Sequence, residues 1–242
     1  MTLDKIAVAY ATVQQQPQAQ ILAAKLGCLV NNSAPAVLLV TSQQLMLQCA
    51  PFTPLAADFS WNTVRHKHSA GKKLALVRAV KPHSKMYIID ATAGWGRDAA
   101  ILASFCARVL MLERELFMGE LLADALARRN WLSQHKLNLE LQVIDAMQYL
   151  NALPMNQLPD VIYLDPMHPA RHKNALVKKD LQILQQLLDY DSKALELLHL
   201  ARTKVTQHVI MKWPIHGPKL AKSTTTIRSK TVRYDIYRPF LK

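Results

Sequence analysis

The chain has 242 residues, half of them hydrophobic, which is enough for a full core in one large domain or in a large and a small one. Its formal net charge of +13 at pH 7 favours a polyanionic partner, most simply nucleic acid held through phosphate contacts and counterion release. The apolar stretches break well short of a membrane span, no secretory signal pattern opens the chain, and Cys28, Cys49 and Cys106 read as reduced thiols of a cytoplasmic protein.

Residues 1–58 carry four formal charges, Asp4, Lys5, Lys25 and Asp58. Ile6 to Tyr10 reads as a strand, and Pro17 to Leu26 as a helix stopped by Gly27. Ala36 to Val40 and Leu45 to Gln48 read as a hairpin. Pro51 and Pro54 close the unit, so residues 1–58 are expected to form a small α/β subdomain and residues 59–242 the main domain. The character then changes. Arg65, Lys67, Lys72, Lys73, Arg78, Lys81 and Lys85 follow one another with no acid between Asp58 and Asp90. Leu74, Leu76, Val77 and Val80 supply an apolar face, which predicts one basic amphipathic helix with a phosphate-contacting surface. His66 and His68 form an H-x-H without further ligands at metal spacing, so no metal site is expected.

From residue 86 strands and helices alternate, the pattern of a parallel sheet covered on both faces. Tyr87–Asp90 is the first strand, followed by a turn through Gly94 and Gly96 and a helix with Ala99, Ile101, Leu102 and Phe105. Strand, glycine turn and helix open a nucleotide-binding α/β domain, where backbone approaches a ligand and the helix offers free N–H groups. Arg108–Glu113, Leu139–Ile144, Asp160–Leu164 and His208–Lys212 read as further strands. Phe117–Arg129 and roughly Ala175–Leu200 read as helices, and Thr224–Tyr237 as a closing antiparallel hairpin.

Ligands of open parallel sheets sit beyond the carboxyl ends of the strands, and four strands here end in Asp90, Glu113, Asp145 and Asp165. One such acid would as readily cap a helix; four in succession point to a ligand site. An acid after the second strand suits the ribose hydroxyls of an adenosine. Asp90 and Asp98 around the glycine turn would repel a pyrophosphate, but suit the cationic amino and sulfonium groups of S-adenosylmethionine.

The fourth strand runs into Asp165-Pro166-Met167-His168-Pro169, which resembles the Asp/Asn-Pro-Pro-aromatic loop of methyltransferases that modify exocyclic amino groups of bases. In that chemistry a carboxylate and a proline-held carbonyl accept hydrogen bonds from the –NH₂ group and aim its lone pair at the methyl group. A ring after the prolines, here His168, stacks on the flipped base.

Taken together, Asp90-Ala-Thr-Ala-Gly-Trp-Gly-Arg-Asp98, Met111-Leu-Glu-Arg114, Tyr163-Leu-Asp-Pro-Met167, Ala175-Leu-Val-Lys-Lys179 and Arg233-Tyr-Asp-Ile-Tyr237 resemble the ribosomal RNA small subunit methyltransferase J family. The resemblance covers about residue 58 to the C-terminus and, more loosely, the N-terminal segment. It implies a class I, Rossmann-like S-adenosylmethionine-dependent methyltransferase fold: a mostly parallel seven-stranded sheet with an antiparallel last strand, plus the small N-terminal α/β subdomain. It also implies methylation of N2 of a guanosine near the 3′ end of 16S rRNA, with 16S rRNA or the 30S subunit as partner. Asp165, Pro166 and His168 take the catalytic positions. The donor contacts fall on Arg97 and Asp98, Glu113 and Arg114, Met147 and Gln148, and Asp165, beside Asp90, Gly94, Gly96 and Asp145. Met147-Gln148 stands where the family has Ser-Ser, His168 where it usually has Phe, and His68–Lys73 where a glycine-richer stretch is typical. Arg171, Lys173, Lys178 and Lys179 follow the Asp-Pro element and, with Arg65, Lys67, Lys72 and Lys73, form the expected RNA-facing rim. Rival readings are an amino methyltransferase acting on another nucleic acid or a protein Gln, and a non-catalytic RNA-binding protein of the same fold.

Overall fold

A computed structural model describes residues 6–105, 107–128, 137–167 and 193–240. The chain divides into two compact units, one made of residues up to Asp58 together with a later helix, the other of most of the remaining chain.

In the first unit β1 (Ala7–Tyr10) pairs in parallel with β2 (Ala36–Val40), and β2 pairs antiparallel with β3 (Leu45–Cys49). The crossover between β1 and β2 is α1 (Gln16–Leu26), with Pro17 in its first turn. Gly27 ends the helix in the left-handed conformation at φ 67°, where a side chain would be strained, and its N–H bonds back to the last turn. Although α5 (Leu116–Arg128) lies late in the chain, it groups with this unit. Its Asp124 accepts the N–H of Leu45 at 3.1 Å, and Arg128 donates to the carbonyl of Ala57 at 2.7 Å.

The second unit holds a seven-stranded sheet in the order β6-β5-β4-β7-β8-β10-β9. Its members are β4 (Tyr87–Asp90), β5 (Arg108–Glu113), β6 (Leu139–Val143), β7 (Val161–Leu164), β8 (His208–Pro214), β9 (Thr225–Arg228) and β10 (Val232–Tyr237). All neighbours pair in parallel except β10, which lies antiparallel between β8 and β9. The direction of the sheet first changes sideways at β4, with β5 on one side and β7 on the other, so the crevice for a ligand opens beyond Asp90.

Register decides which side chains share a face. Ile89, Leu110, Ile162 and Val209 stand side by side and pack, fully or almost fully buried, against Leu150 of α6 (Ala146–Ala152) and Leu198 of α7 (Ala194–Thr203). Each such aliphatic side chain stabilises the fold by about 1.5–3 kcal/mol. Asp90, Met111, Tyr163 and Ile210 line the opposite face. Lys212, two residues on from Ile210, joins them, with Tyr234 directly across on β10.

Three expectations from the sequence are corrected here. The single basic helix is two, α2 (Trp61–Ala70) and α3 (Ala75–Val80), because Gly71 at φ 47° and ψ −126° turns the chain and caps α2 through the carbonyls of Lys67 and His68. The third strand stops at Val143, since Asp145 leaves the ladder to cap α6. The fifth strand runs on to Pro214, held by its antiparallel pairing with β10, so Lys212 lies inside it. Of the long helical stretch expected around Ala175–Leu200, residues 175–192 lie outside the described residues, and α7 continues to Thr203.

Candidate active site

The glycine turn leaves β4 at Asp90, whose carboxylate accepts the N–H of Thr92 at 3.1 Å and is 1% exposed. Gly94 and Gly96 both take positive φ, 51° and 68°, and Gly96 starts α4 (Arg97–Ala103). No L side chain adopts these angles without strain, which is why glycine stands at both positions. The turn is tied to the neighbouring strand: the N–H of Gly94 donates to Glu113 Oε2 at 2.9 Å. Glu113 is buried and Arg114 beyond it exposed. Trp95, between the glycines, is buried, and its Nε1 has no hydrogen-bond partner among the described residues.

Next to the turn, the segment after β7 is fixed by backbone and side chain together. Thr92 Oγ1 accepts the N–H of Asp165 at 2.6 Å, so the Asp-Pro element begins one hydrogen bond away from the glycine turn. Pro166 is buried, which gives the segment after Asp165 a rigid packed start. The Asp165 side chain stays a third exposed.

Lys212 joins the two halves. Its Nζ donates to Asp165 Oδ2 at 2.7 Å and to Asp98 Oδ2 at 2.9 Å, and the Tyr163 hydroxyl donates to the same Asp98 oxygen at 2.6 Å. Burial would lower the Lys212 pKa, but the two carboxylates outweigh it and hold the ammonium well above the usual lysine range. Burial pushes Asp165 up, opposed by Lys212 and reinforced by Asp98. For Asp90 burial dominates: its carboxyl is pushed up to about 8, with Thr92 opposing and the charges of Asp98 and Asp165 reinforcing. Near neutrality, Asp90 is therefore mainly protonated, while Asp98 and Asp165 share one ammonium. Sequence reading placed Asp90 and Asp98 as two negative charges around the turn; burial pushes the Asp90 carboxyl up to about 8, and the ammonium of Lys212 lies against Asp98 and Asp165.

Asp145 lies on the outer side of this edge. It is exposed and accepts the N–H of Gln148 at 3.1 Å as the N-cap of α6, which also carries half-buried Met147. Arg97 is exposed at the start of α4. The structure thus brings Asp90, Gly94, Gly96, Asp98, Glu113, Asp165 and Pro166 to one edge of the sheet, with Arg97, Arg114, Asp145, Met147 and Gln148 at the same strand and helix ends. His168, Arg171, Lys173, Lys178 and Lys179 lie outside the described residues. Arg65 and Lys67 on α2, and Lys72 and Lys73 on the turn after it, are exposed. His68 faces inward: its Nδ1 is 3.2 Å from Ser104 Oγ and its ring stacks on Phe105 at 4.7 Å, a packing role. Among the described residues no group of His, Cys, Asp and Glu is arranged to hold a metal ion, and no helix is long and apolar enough to cross a membrane.

Sequence reasoning missed Lys212 and Tyr163 as site residues. The available signal was alternation: Tyr163 lies two residues before Asp165, and a lysine near the end of an otherwise apolar strand is costly unless paired.

Comparisons agree with this geometry. The SAM_MT model of SAM-dependent methyltransferases matches residues 21–239. The chain is 46% identical to ribosomal RNA small subunit methyltransferase J of Legionella pneumophila (strain Corby), over 96% of each chain. It is 38% identical to the protein of the same name in Coxiella burnetii (strain Dugway 5J108-111), over 97% of each. A SAM-dependent methyltransferase of Neisseria gonorrhoeae superposes with a TM-score of 0.75 at 23% identity, over 98% of this chain and 97% of that one, which speaks for the fold. The chain belongs to the ribosomal RNA small subunit methyltransferase J family of S-adenosylmethionine-dependent methyltransferases.

Proposed function

We propose that this protein transfers a methyl group from S-adenosylmethionine to the exocyclic N2 of a guanosine near the 3′ end of 16S rRNA, in the cytoplasm, on the free rRNA or on the 30S subunit. The observation that carries the reading is the placement of Asp165: a partly exposed carboxylate on a proline-stiffened segment, one hydrogen bond from the glycine turn. The site's charge fits the donor. Beside the one ammonium stand the carboxyl groups of Asp98 and Asp165, a surplus of acids that suits the cationic amino and sulfonium groups of the donor.

S-adenosylmethionine supplies the electrophilic methyl group when bound. Glu113, held by Gly94, accepts hydrogen bonds from ribose hydroxyls, and Asp145, Met147 and Gln148 border the adenine. Arg97, Arg114, Asp98 and the glycine turn shape the remaining donor surface. Asp165 accepts a hydrogen bond from the guanine amino group and fixes its lone pair in line with the methyl carbon, so its contribution is chiefly positioning. The nitrogen lone pair forms the new N–C bond while the bond to sulfur breaks with its electrons left on sulfur. The nitrogen then sheds a proton to the Asp165 carboxylate or to water, so no strong base is needed beforehand. His168 is assigned the stacking role by sequence alone. Arg65, Lys67, Lys72 and Lys73, with Arg171, Lys173, Lys178 and Lys179, contact RNA phosphates.

The test is labelled-methyl transfer to undermethylated 30S subunits, to deproteinised 16S rRNA and to DNA, with the modified nucleoside identified by mass spectrometry. N2-methylguanosine in small-subunit rRNA is expected from the wild type and not from Asp165→Ala. Methylation of DNA or of a protein Gln, or a different modified base, would overturn the assignment. Absence of transfer with RNA binding retained would favour a non-catalytic RNA-binding protein.

A further inference from the structure

We propose that Lys212 is a positioning residue of the transfer site, one that neutralises Asp165 and turns its carboxylate so that one oxygen remains for the acceptor amine. The inference rests on the reading of Asp165 as the amine acceptor.

The geometry is that of an anchored clamp. Tyr163 and Asp98 form the fixed end: the phenol is 1% exposed, and its hydroxyl donates to Asp98 Oδ2 at 2.6 Å. Lys212 spans from that oxygen to Asp165 Oδ2, 2.9 and 2.7 Å away. The lysine itself is set by the strand register, in β8 and directly across from buried Tyr234. Among the described residues, Lys212 is the polar partner of the Asp165 carboxylate, and it uses Oδ2. The amine of a base therefore meets Oδ1, in a plane set by an ammonium that is itself held by Asp98.

Protonation makes the same point chemically. A carboxylic acid presents an O–H and a weaker acceptor, whereas a carboxylate presents acceptors only. The groups facing Asp165 are Lys212 from β8, Asp98 from α4, Asp90 from β4, Tyr163 from its own strand and Tyr234 from β10. Two are carboxyl groups and two are phenols, so Lys212 is the cation of the set. It opposes the rise in pKa that burial and Asp98 impose on Asp165. Without it Asp165 takes up its proton at higher pH and ceases to be a full acceptor.

The experiment follows the Asp165 carboxyl by ¹³C NMR, in protein labelled at aspartate Cγ, with the signal assigned by its loss in Asp165→Asn. In Lys212→Met the titration midpoint is expected to rise by about 1–3 pH units, the effect of removing an opposite charge at this distance. Lys212→Gln, which keeps hydrogen-bonding capacity without charge, gives the same direction and serves if the methionine variant does not fold. An unmoved midpoint in a folded variant overturns the inference, whether or not any RNA is methylated. The parallel readout is the pH dependence of kcat for transfer to 30S subunits: the acidic limb moves up with the midpoint in Lys212→Met and returns toward the wild-type position in Lys212→Arg. A drop in kcat equal at every pH, with no movement of the limb, would reduce Lys212 to a packing role. Loss of all transfer by the wild type would count against the proposed function and leave the NMR titration to decide on the lysine.

Discussion

Two ion-pair clusters centre on the neighbouring strands β10 and β8, and they are built on opposite rules. Arg233 and Asp235, on β10, are 6% and 2% exposed in their side chains and 2.8 Å apart. Arg233 also donates to the carbonyls of Pro214, Ile215, Gly217 and Pro218, while Asp235 accepts the hydroxyl of Thr226 at 2.7 Å. One cation meets one anion, and the guanidinium fork is absorbed by the backbone that follows β8. Across the sheet, Lys212 serves two carboxylates, and one of them, Asp165, stays a third exposed. A balanced, closed network holds a loop; an unbalanced, half-open one carries a charge that a ligand can meet.

Breaking each cluster should separate the two roles. The largest effect is expected for Asp165→Ala, which removes the amine acceptor: methyl transfer falls on the order of 10²–10³-fold or more, while urea denaturation shows a folded protein. Arg233→Met should do the reverse. It leaves Asp235 buried without its partner and strips four carbonyls of a donor, so stability drops by about 3–5 kcal/mol in urea melts. A variant as stable as wild type would contradict the structural role.

Asp90→Asn sharpens the contrast between charged and neutral acids. The native state keeps the Asp90 proton to about pH 8, whereas the unfolded chain releases it near 3.8. Within that window the native state binds more protons, so this group's contribution to stability declines as pH rises, by up to about 1.4 kcal/mol per pH unit. The asparagine variant has no such proton to lose, and its stability relative to wild type should climb between pH 5 and 7.5. Parallel pH profiles would show that Asp90 is ionised throughout. The smallest effect is expected at the surface. Lys72→Glu with Lys73→Glu should weaken RNA binding and flatten its dependence on log salt by about two units, with donor affinity by calorimetry unchanged.

Much of the molecule was legible before any coordinates. The near-continuous apolar run Tyr87–Ile89 ending in Asp90, the paired glycines and the acid after each strand follow from rules of period and turn that act over a few residues. Gly71 shows the limit of such rules. The basic run and the apolar positions from Leu74 on read as one helix across it, and the backbone at φ 47° and ψ −126° ends α2 there. Asp145 shows another. An acid after a strand and an acid before a helix look alike in sequence, and the hydrogen bond from Gln148 identifies the cap.

By itself the sequence determined the kind of protein this is: an alternating α/β chain with acids along one edge, a glycine turn, an Asp-Pro element and an excess of basic residues. These are properties of local spacing and composition, which survive without knowledge of long-range contacts. Tertiary structure alone decided which acids share a cation. Lys212 lies 47 residues from Asp165 and 114 from Asp98, and only the pairing of β7, β8 and β10 brings the ammonium between them. Burial then pushes the Asp90 carboxyl up to about 8. Solvent exclusion and strand register are collective properties of the folded sheet, so no stretch of sequence carries them.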